Sequence, residues 1–537
     1  NKIKNKPKTN IFQTIKMGKE SSSKIPTKMW IAAFLISLPS FLFGYISAAL
    51  NSCLITGDGD DAGKCYDNND DASPNCPPGT VYNDIKLSTV DASLATSLMI
   101  VGAWLGCLLG SGPSEKYGRR TTMLINNFTF IGGAIMCCIA DKYILFAGRF
   151  LAGFGVGLES VVVPVLLSEI ATAETRGTIT TLHQLQITFG IFMAGIVGYG
   201  FVENVAHGWV YVQAGITIPV VIMVLGMGFI PESPKWLVQQ GRTEDAKSSL
   251  YILRPPGFDV NAEVSLMIAE ANSHVDKDEA SWSEVFSHKT PLIIGCGLMF
   301  SSAMSGINTV IFYSATIFGF AGFDEAILAT AAVGAVNFLA TATATYLVDI
   351  SGRKTLLLRG INLMTVSLLI LSITLLVAND AQKLQGFIAV FAVLFFVIGF
   401  AIGLGAVSWV IMSEIMSTRL RTKAFGLFVS VNWGFNLVIG LTTLPAIDFL
   451  GGTKSSMDDD ETSDARKEGV AYMYIILAGI CFLATLFIVF FVPETKGKSP
   501  EDFMTDVSVY KGEKVRRHEG DMVRPLTADI EDSGRSY

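Results

Sequence analysis

Acidic and guanidinium side chains recur in this 537-residue chain in three short motifs, each present twice and in the same order. Glu115-Lys116-Tyr117-Gly118-Arg119-Arg120 has its counterpart in Asp349-Ile350-Ser351-Gly352-Arg353-Lys354. Glu169 precedes Arg176 by seven positions, and Glu414 precedes Arg421 by the same seven. Pro231-Glu232-Ser233 is matched by Pro493-Glu494-Thr495. A planar guanidinium grips a carboxylate through two parallel donors, and both groups can satisfy backbone atoms left open at helix ends. The glycine of each Gly-Arg pair permits a tight reversal. A second set of candidates is neutral: Gln184, Asn308, Asn337, Asn432 and Asn436 stand in otherwise apolar stretches. Amides there face a cavity or a partner helix, and because they both donate and accept they suit a hydroxyl-rich solute. No paired acid and base, nucleophile constellation, P-loop, metal-ligand spacing or dinucleotide fingerprint is found. The chemistry is ion pairing and recognition; neither enzymatic activity nor a metal or cofactor is expected.

The elements that must hold these groups follow from composition. Half of the residues are hydrophobic and only 16% are charged, with a positive mean hydropathy. The apolar residues fall in blocks of about 20, long enough to cross a hydrocarbon core of about 30 Å as helices. Some twelve spans are expected, at roughly 30–50, 91–112, 121–140, 145–168, 178–200, 209–230, 291–318, 325–348, 355–378, 385–412, 422–445 and 470–492. Lys and Arg in short loops mark the cytoplasmic side. Lys116, Arg119 and Arg120 follow the second span, Arg353 and Lys354 the eighth, and Arg419, Arg421 and Lys423 the tenth. The alternate loops are acidic, so both termini are expected in the cytoplasm and loop 51–90 outside. The net charge of −7 argues against nucleic acid as a partner; the lipid bilayer is the expected one.

The expected architecture is an all-α membrane protein, twelve transmembrane helices in two six-helix bundles. Residues 1–29 form an N-terminal cytoplasmic segment, 30–230 the first bundle, 231–290 a helical linker, 291–492 the second bundle and 493–537 a cytoplasmic tail. Parallel repeats place a solute site near the midplane, between the halves, and permit alternating access by rocking. Glu115, Arg119, Arg120, Arg149, Glu169, Arg176, Glu232, Asp349, Arg353, Lys354, Glu414, Arg421 and Glu494 are then read as a cytoplasmic latch that favours the outward-open state. The alternative is that these charges only fix topology.

Several signatures carry a family resemblance. Gly148-Arg149-Phe150-Leu151-Ala152-Gly153, Pro231-Glu232-Ser233-Pro234-Lys235-Trp236-Leu237, Asp349 through Lys354 and Pro493-Glu494-Thr495-Lys496-Gly497 are similar to those of the sugar porter family, within the major facilitator superfamily. The match covers about residues 30–500. It implies the major facilitator fold and transport of a monosaccharide by a protein that functions as a monomer. Gln184 resembles the sugar-binding Gln of the fifth span, Asn308 and Asn337 the Asn residues of the seventh and eighth. Trp409 resembles the tenth-span Trp, Asn432 and Trp433 the eleventh-span pair. Phe312 and Tyr313 resemble the aromatic gate of the seventh span. Two departures bear on the solute: Ser302 and Ala303 stand where the family shows two Gln, and the tenth span keeps Gly403 and Gly405 but lacks proline, which suggests a stiffer hinge.

Proton-coupled members of that family place an Asp after Phe-Gly-Tyr in the first span; here Ile46 follows Phe43-Gly44-Tyr45. The other mid-span carboxylate is Glu159, read as an interhelical hydrogen bonder. Facilitated diffusion of a hexose is therefore expected. A proton-coupled sugar or polyol symporter using Glu159 and a non-transporting sugar sensor are the alternatives. The plasma membrane is the expected location. His183 is read as structural, loop 51–90 as a solvated spacer, and a Cys65–Cys76 disulfide is left open.

Overall fold

A computed structural model describes residues 26–54, 77–172, 174–272, 281–310, 326–377, 382–452 and 459–496. Every regular element among them is helical. Phe312, Tyr313, Cys65 and Cys76 lie outside the described residues. Twelve long helices follow one another: Thr27–Cys53, Thr89–Tyr117, Arg119–Cys137, Lys142–Ile170, Arg176–Val202 and Gly208–Phe229 in the first half, then Lys289–Val310, Ala326–Ser351, Arg353–Leu376, Leu384–Glu414, Arg421–Gly451 and Asp459–Phe491 in the second. They are numbered here as spans in that order. Eleven are long and apolar enough to cross a membrane. The third, Arg119–Cys137, falls short because Arg119, Arg120, Asn126 and Asn127 dilute it; those four face inward or toward the helix ends, and the helix packs along the fourth span.

Close approach within the first bundle depends on missing side chains. A Cβ on Gly102 or Gly106 would lie 2.2 or 2.1 Å from the carbonyl oxygens of Phe150 or Phe154, and one on Gly153 or Gly157 2.1 or 1.9 Å from those of Met99 or Ala103. The second and fourth spans thus cross on reciprocal pairs of glycines, the small-residue packing that lets membrane helices touch backbone to backbone.

The bundles meet along the fifth and eighth spans and along the second and eleventh. Two second-half helices depart from regular geometry. The seventh breaks after Ala303 and resumes past Gly306, whose φ of +87° supplies the left-handed turn. The tenth carries a π-helical turn at Ala401–Gly405, so the missing proline does not leave this helix regular; the bulge itself provides the irregularity.

Short helices Pro234–Gln239, Thr243–Leu253 and Val260–Asn272 form a small cluster around Trp236, Leu250 and Val264 at one end of the bundles. Arg254 fastens it to the first bundle. Its guanidinium takes Glu263 at 2.7 and 2.9 Å and donates to the carbonyl of Ile170, at the last turn of the fourth span, at 2.9 Å. At the opposite end, residues 77–87 do not behave as a solvated spacer. Thr80, Val81 and Ile85 are buried, Thr80 Oγ1 donates to the Cys53 carbonyl at 2.8 Å, and Gly79 exchanges backbone hydrogen bonds with Val202 and Trp209. Asp84 accepts from His207 Nδ1 at 2.7 Å and from the Trp209 indole at 2.5 Å. The spacer reading rested on the polar Asp-rich half of this loop; the half after Pro77 carries the apolar side chains that dock.

Candidate functional site

At the linker end the repeated motifs form two similar networks, which differ in that Arg353 Nη2 also donates to Asp349 at 3.2 Å while its Nε has no partner among the described residues. In the first half, Arg119 donates Nε and Nη2 to the two oxygens of Glu169, each at 3.0 Å, and Nη1 to the Ser114 carbonyl at 3.2 Å. In the second half, Arg353 donates Nη2 to Glu414 at 3.0 Å and Nη1 to the Val348 carbonyl at 3.0 Å. Gly118 and Gly352, with φ of +91° and +81°, turn the chain just before these arginines. A Cβ on either would strike the carboxylate of Glu232 or Glu494, at 2.4 and 2.7 Å.

Those two carboxylates are caps. Glu232 accepts the backbone N–H groups of Arg119, Arg120 and Ser233 at the start of the third span. Glu494 accepts those of Arg353, Lys354 and Lys496 at the start of the ninth. Carboxylates are favoured at a helix N-terminus, where N–H groups lack partners. Burial pushes the Glu232 carboxyl up from its ordinary value, and the three N–H donors pull against that rise. Arg120 and Lys354 serve the opposite helix ends, donating to the carbonyls of Met227 and Val489.

Fewer contacts cross between the bundles. Asp349 accepts from the Thr178 N–H at 2.9 Å and its hydroxyl at 2.5 Å, at the first turn of the fifth span. Lys423 pairs with Glu115 at 3.2 Å, Arg119 Nη2 reaches Thr422 Oγ1 at 3.3 Å, and Lys235 reaches Thr418 Oγ1 at 3.1 Å. Arg176 stands near the Glu414 carboxylate, and Arg421 is buried with Nη2 on the Met416 carbonyl. The linker end is closed.

One latch assignment is corrected. Arg149 lies near the start of the fourth span and Glu169 near its end; 20 positions at 1.5 Å each put them about 30 Å apart. Arg149 is buried at the other end of the first bundle, donating to the carbonyls of Ile46 at 2.9 Å and Ala95 at 3.4 Å. Among the described residues no carboxylate pairs with it.

Near mid-span the expected residues divide into two groups. Gln184 Oε1 accepts the Trp409 indole N–H at 3.0 Å, a bond that crosses from the fifth span to the tenth. Gln184 thereby keeps its amide nitrogen for another partner. On the second bundle, Asn308 donates to Asn436 at 2.7 Å, Asn436 to Asn432 at 2.9 Å, and Asn432 to the Met299 carbonyl at 3.2 Å. Asn436, not among the expected ligands, is the link that joins Asn308 to Asn432. Asn337 is buried, and its Oδ1 has no hydrogen-bond partner among the described residues; Thr309 Oγ1 and Ser408 Oγ are in the same condition. Buried polar atoms are nearly always paired; these three are exceptions, as are Asn127 and Gln213 elsewhere in the first bundle. Trp433 meets Phe43 of the first bundle, ring centroids 5.1 Å apart.

Glu159 takes the place expected of it. Its Oε1 accepts from Asn126 of the third span at 3.0 Å, while Oε2 is buried with no partner among the described residues. Glu159→Gln, which keeps the shape and an acceptor for Asn126, is expected to leave solute entry within about two-fold of the parent. A proton carried at this carboxyl would instead make the substitution abolish gradient-driven accumulation; flux under an imposed pH gradient separates the two.

The family model described as "Sugar (and other) transporter" matches residues 32–506. The chain is 33% identical to the plastidic glucose transporter 4 of Arabidopsis thaliana over 419 residues, 77% of this chain and 72% of that protein. It is 31% identical to the facilitated glucose transporter protein 1 of Caenorhabditis elegans, with 90% and 91% covered. Among solved structures, the proton:xylose symporter XylE bound to 6-bromo-6-deoxy-D-glucose, a major facilitator superfamily protein, superposes with a TM-score of 0.73 at 24% identity, covering 89% of this chain and 99% of that one. That last likeness is one of fold.

Proposed function

Because the chain belongs to the sugar transporter family of the major facilitator superfamily, whose members are transporters and not enzymes, we propose that it carries a hexose down its concentration gradient by alternating access. The observation that carries this reading is the Gln184–Trp409 bond across the bundle interface. Gln184, Asn308, Asn337, Trp409, Asn432 and Trp433 are the proposed sugar contacts, with Asn436 as the link between two of them. Phe312 and Tyr313 are proposed to gate the site from the seventh span. Amides and indole N–H groups match sugar hydroxyls, which donate and accept in turn, and the aromatic faces suit the ring's apolar C–H surface.

In this reading the Thr178–Asp349, Glu115–Lys423 and Arg119–Thr422 contacts close the cytoplasmic exit. The Arg119–Glu169 and Arg353–Glu414 networks keep each bundle rigid while it rocks, and segment 231–290 joins the bundles. Both termini then lie in the cytoplasm, the protein sits in the plasma membrane, and one chain is the working unit. Uniport is favoured because Ile46 cannot titrate and Arg149 faces carbonyls, while Glu159 is held inside one bundle by Asn126.

The test is radiolabelled D-glucose entry into proteoliposomes, with and without an imposed pH gradient. Saturable entry that stops at equilibrium and ignores the gradient is the expected result. Accumulation above the external concentration would replace uniport with symport. Absence of glucose entry by folded protein would overturn the hexose assignment.

A further inference from the structure

We propose that His183 is a positioning residue of the solute site: held by Ser40 in a single tautomer, it sets the angle of the Trp409 indole across the bundle interface. The proposal rests on the monosaccharide reading above. Ser40 of the first span and His183 of the fifth are fully buried, and Ser40 Oγ stands 2.7 Å from His183 Nδ1. The imidazole is the acceptor that the structure gives this hydroxyl. With Ser40 donating to Nδ1, the ring hydrogen is assigned to Nε2. That nitrogen is buried and has no hydrogen-bond partner among the described residues.

What stands against the ring is Trp409. The two centroids are 4.5 Å apart and the planes meet at 73°, an edge-to-face arrangement. An N–H edge turned toward an electron-rich indole face is attractive, and the indole is the aromatic ring that meets the imidazole whose Nε2 lacks an ordinary acceptor. Phe425 of the eleventh span stacks near Trp409 at 6.1 Å and 27°. The indole N–H is fixed on Gln184, the neighbour of His183 in sequence.

Trp409 is therefore held by two consecutive residues of the opposite bundle, through a ring contact and through its N–H. Ser40 and His183 travel with the first bundle and Trp409 with the second, so rocking must break both contacts together. The tautomer chosen by Ser40 thus helps decide where the indole and the Gln184 amide stand when a sugar arrives.

Ser40→Ala removes the tautomer lock without touching the site, and His183→Leu removes the ring. Full-length protein and both variants, each paired with its Trp409→Phe counterpart, would be compared for acrylamide quenching of Trp409 emission without sugar, and for D-glucose KM and maximal rate in proteoliposomes. The expected result is stronger quenching of Trp409 in Ser40→Ala, and a KM about five-fold higher with the maximal rate within about two-fold, the size of one lost hydrogen bond. In the His183→Leu background, Ser40→Ala should add nothing, since its effect passes through the imidazole. The proposal is overturned if Ser40→Ala leaves both quenching and KM unchanged, or if its effect is as large without His183 as with it. Should His183→Leu not fold, Ser40→Ala decides alone. Wild-type protein that admits no glucose would overturn the sugar reading, while the sugar-free quenching comparison still decides the positioning role.

Discussion

Arg119→Ala is expected to destabilise the protein by about 3–5 kcal/mol, the cost of leaving a buried carboxylate without its cation. Arg119 and Glu169 are both nearly inaccessible, with side chains 4% and 0% exposed. Both oxygens of Glu169 are held by the one guanidinium, and the same guanidinium ties the start of the third span to the second bundle through Thr422. Removing it strands Glu169 and opens one interbundle contact at once. Arg119→Lys should recover little, because an ammonium offers no planar fork. Arg119→Ala combined with Glu169→Gln should recover a good part, since the buried charge then disappears with its partner. Thermal unfolding of purified protein checks the series. An Arg119→Ala protein as stable as its parent would refute the buried-pair argument. Arg353→Ala should behave alike, and somewhat more mildly, because Glu414 also accepts from Thr495 at 2.6 Å.

The second large effect is at the solute site. Gln184→Ala is expected to raise the KM for glucose at least about ten-fold, from the loss of an amide contact and of the bond that fixes Trp409, each worth about 0.5–1.5 kcal/mol. The folded amount should hardly change, because the side chain makes no other hydrogen bond among the described residues. Trp409→Phe should reproduce part of the loss, and the double variant should cost less than the sum of the singles, the signature of two groups acting through one contact. Additive effects would separate Gln184 from Trp409 and undo the proposed site.

The repeat made much of this legible before any coordinates. The apolar blocks predicted twelve helices, and the twofold Gly-Arg turns, Glu-to-Arg spacings and Pro-Glu motifs predicted two bundles with their charges gathered at the cytoplasmic end. What the motifs did not give was the job of each charge. Glu232 and Glu494, in the Pro-Glu motifs, cap helix starts inside their own bundles, whereas Asp349, in a Gly-Arg motif, pairs with Arg353 and also reaches across to Thr178; only the packing of neighbouring helices decides between those fates. Arg149 was misplaced because its motif, like the others, is charged and glycine-flanked, although helix rise alone puts it a membrane's thickness from Glu169. Asn436 was seen but not chosen, since one amide per turn on the eleventh span gives no sign of which bonds to which. The docking of residues 77–87 was hidden behind the Asp-rich stretch that precedes it.

The measurement that most directly tests the account joins the bundles at the linker end. Glu115 and Lys423 belong to different bundles and pair at 3.2 Å, both partly exposed. With Glu115→Cys and Lys423→Cys in one chain, a short bis-methanethiosulfonate should bridge them through two disulfides, releasing a sulfinate at each thiol. The account predicts that bridged protein in liposomes stops admitting glucose, that reduction restores entry, and that a protein carrying either introduced cysteine alone is unaffected by the reagent. Undiminished glucose entry through fully bridged protein would contradict it, because no solute could then depend on the bundles parting at that end.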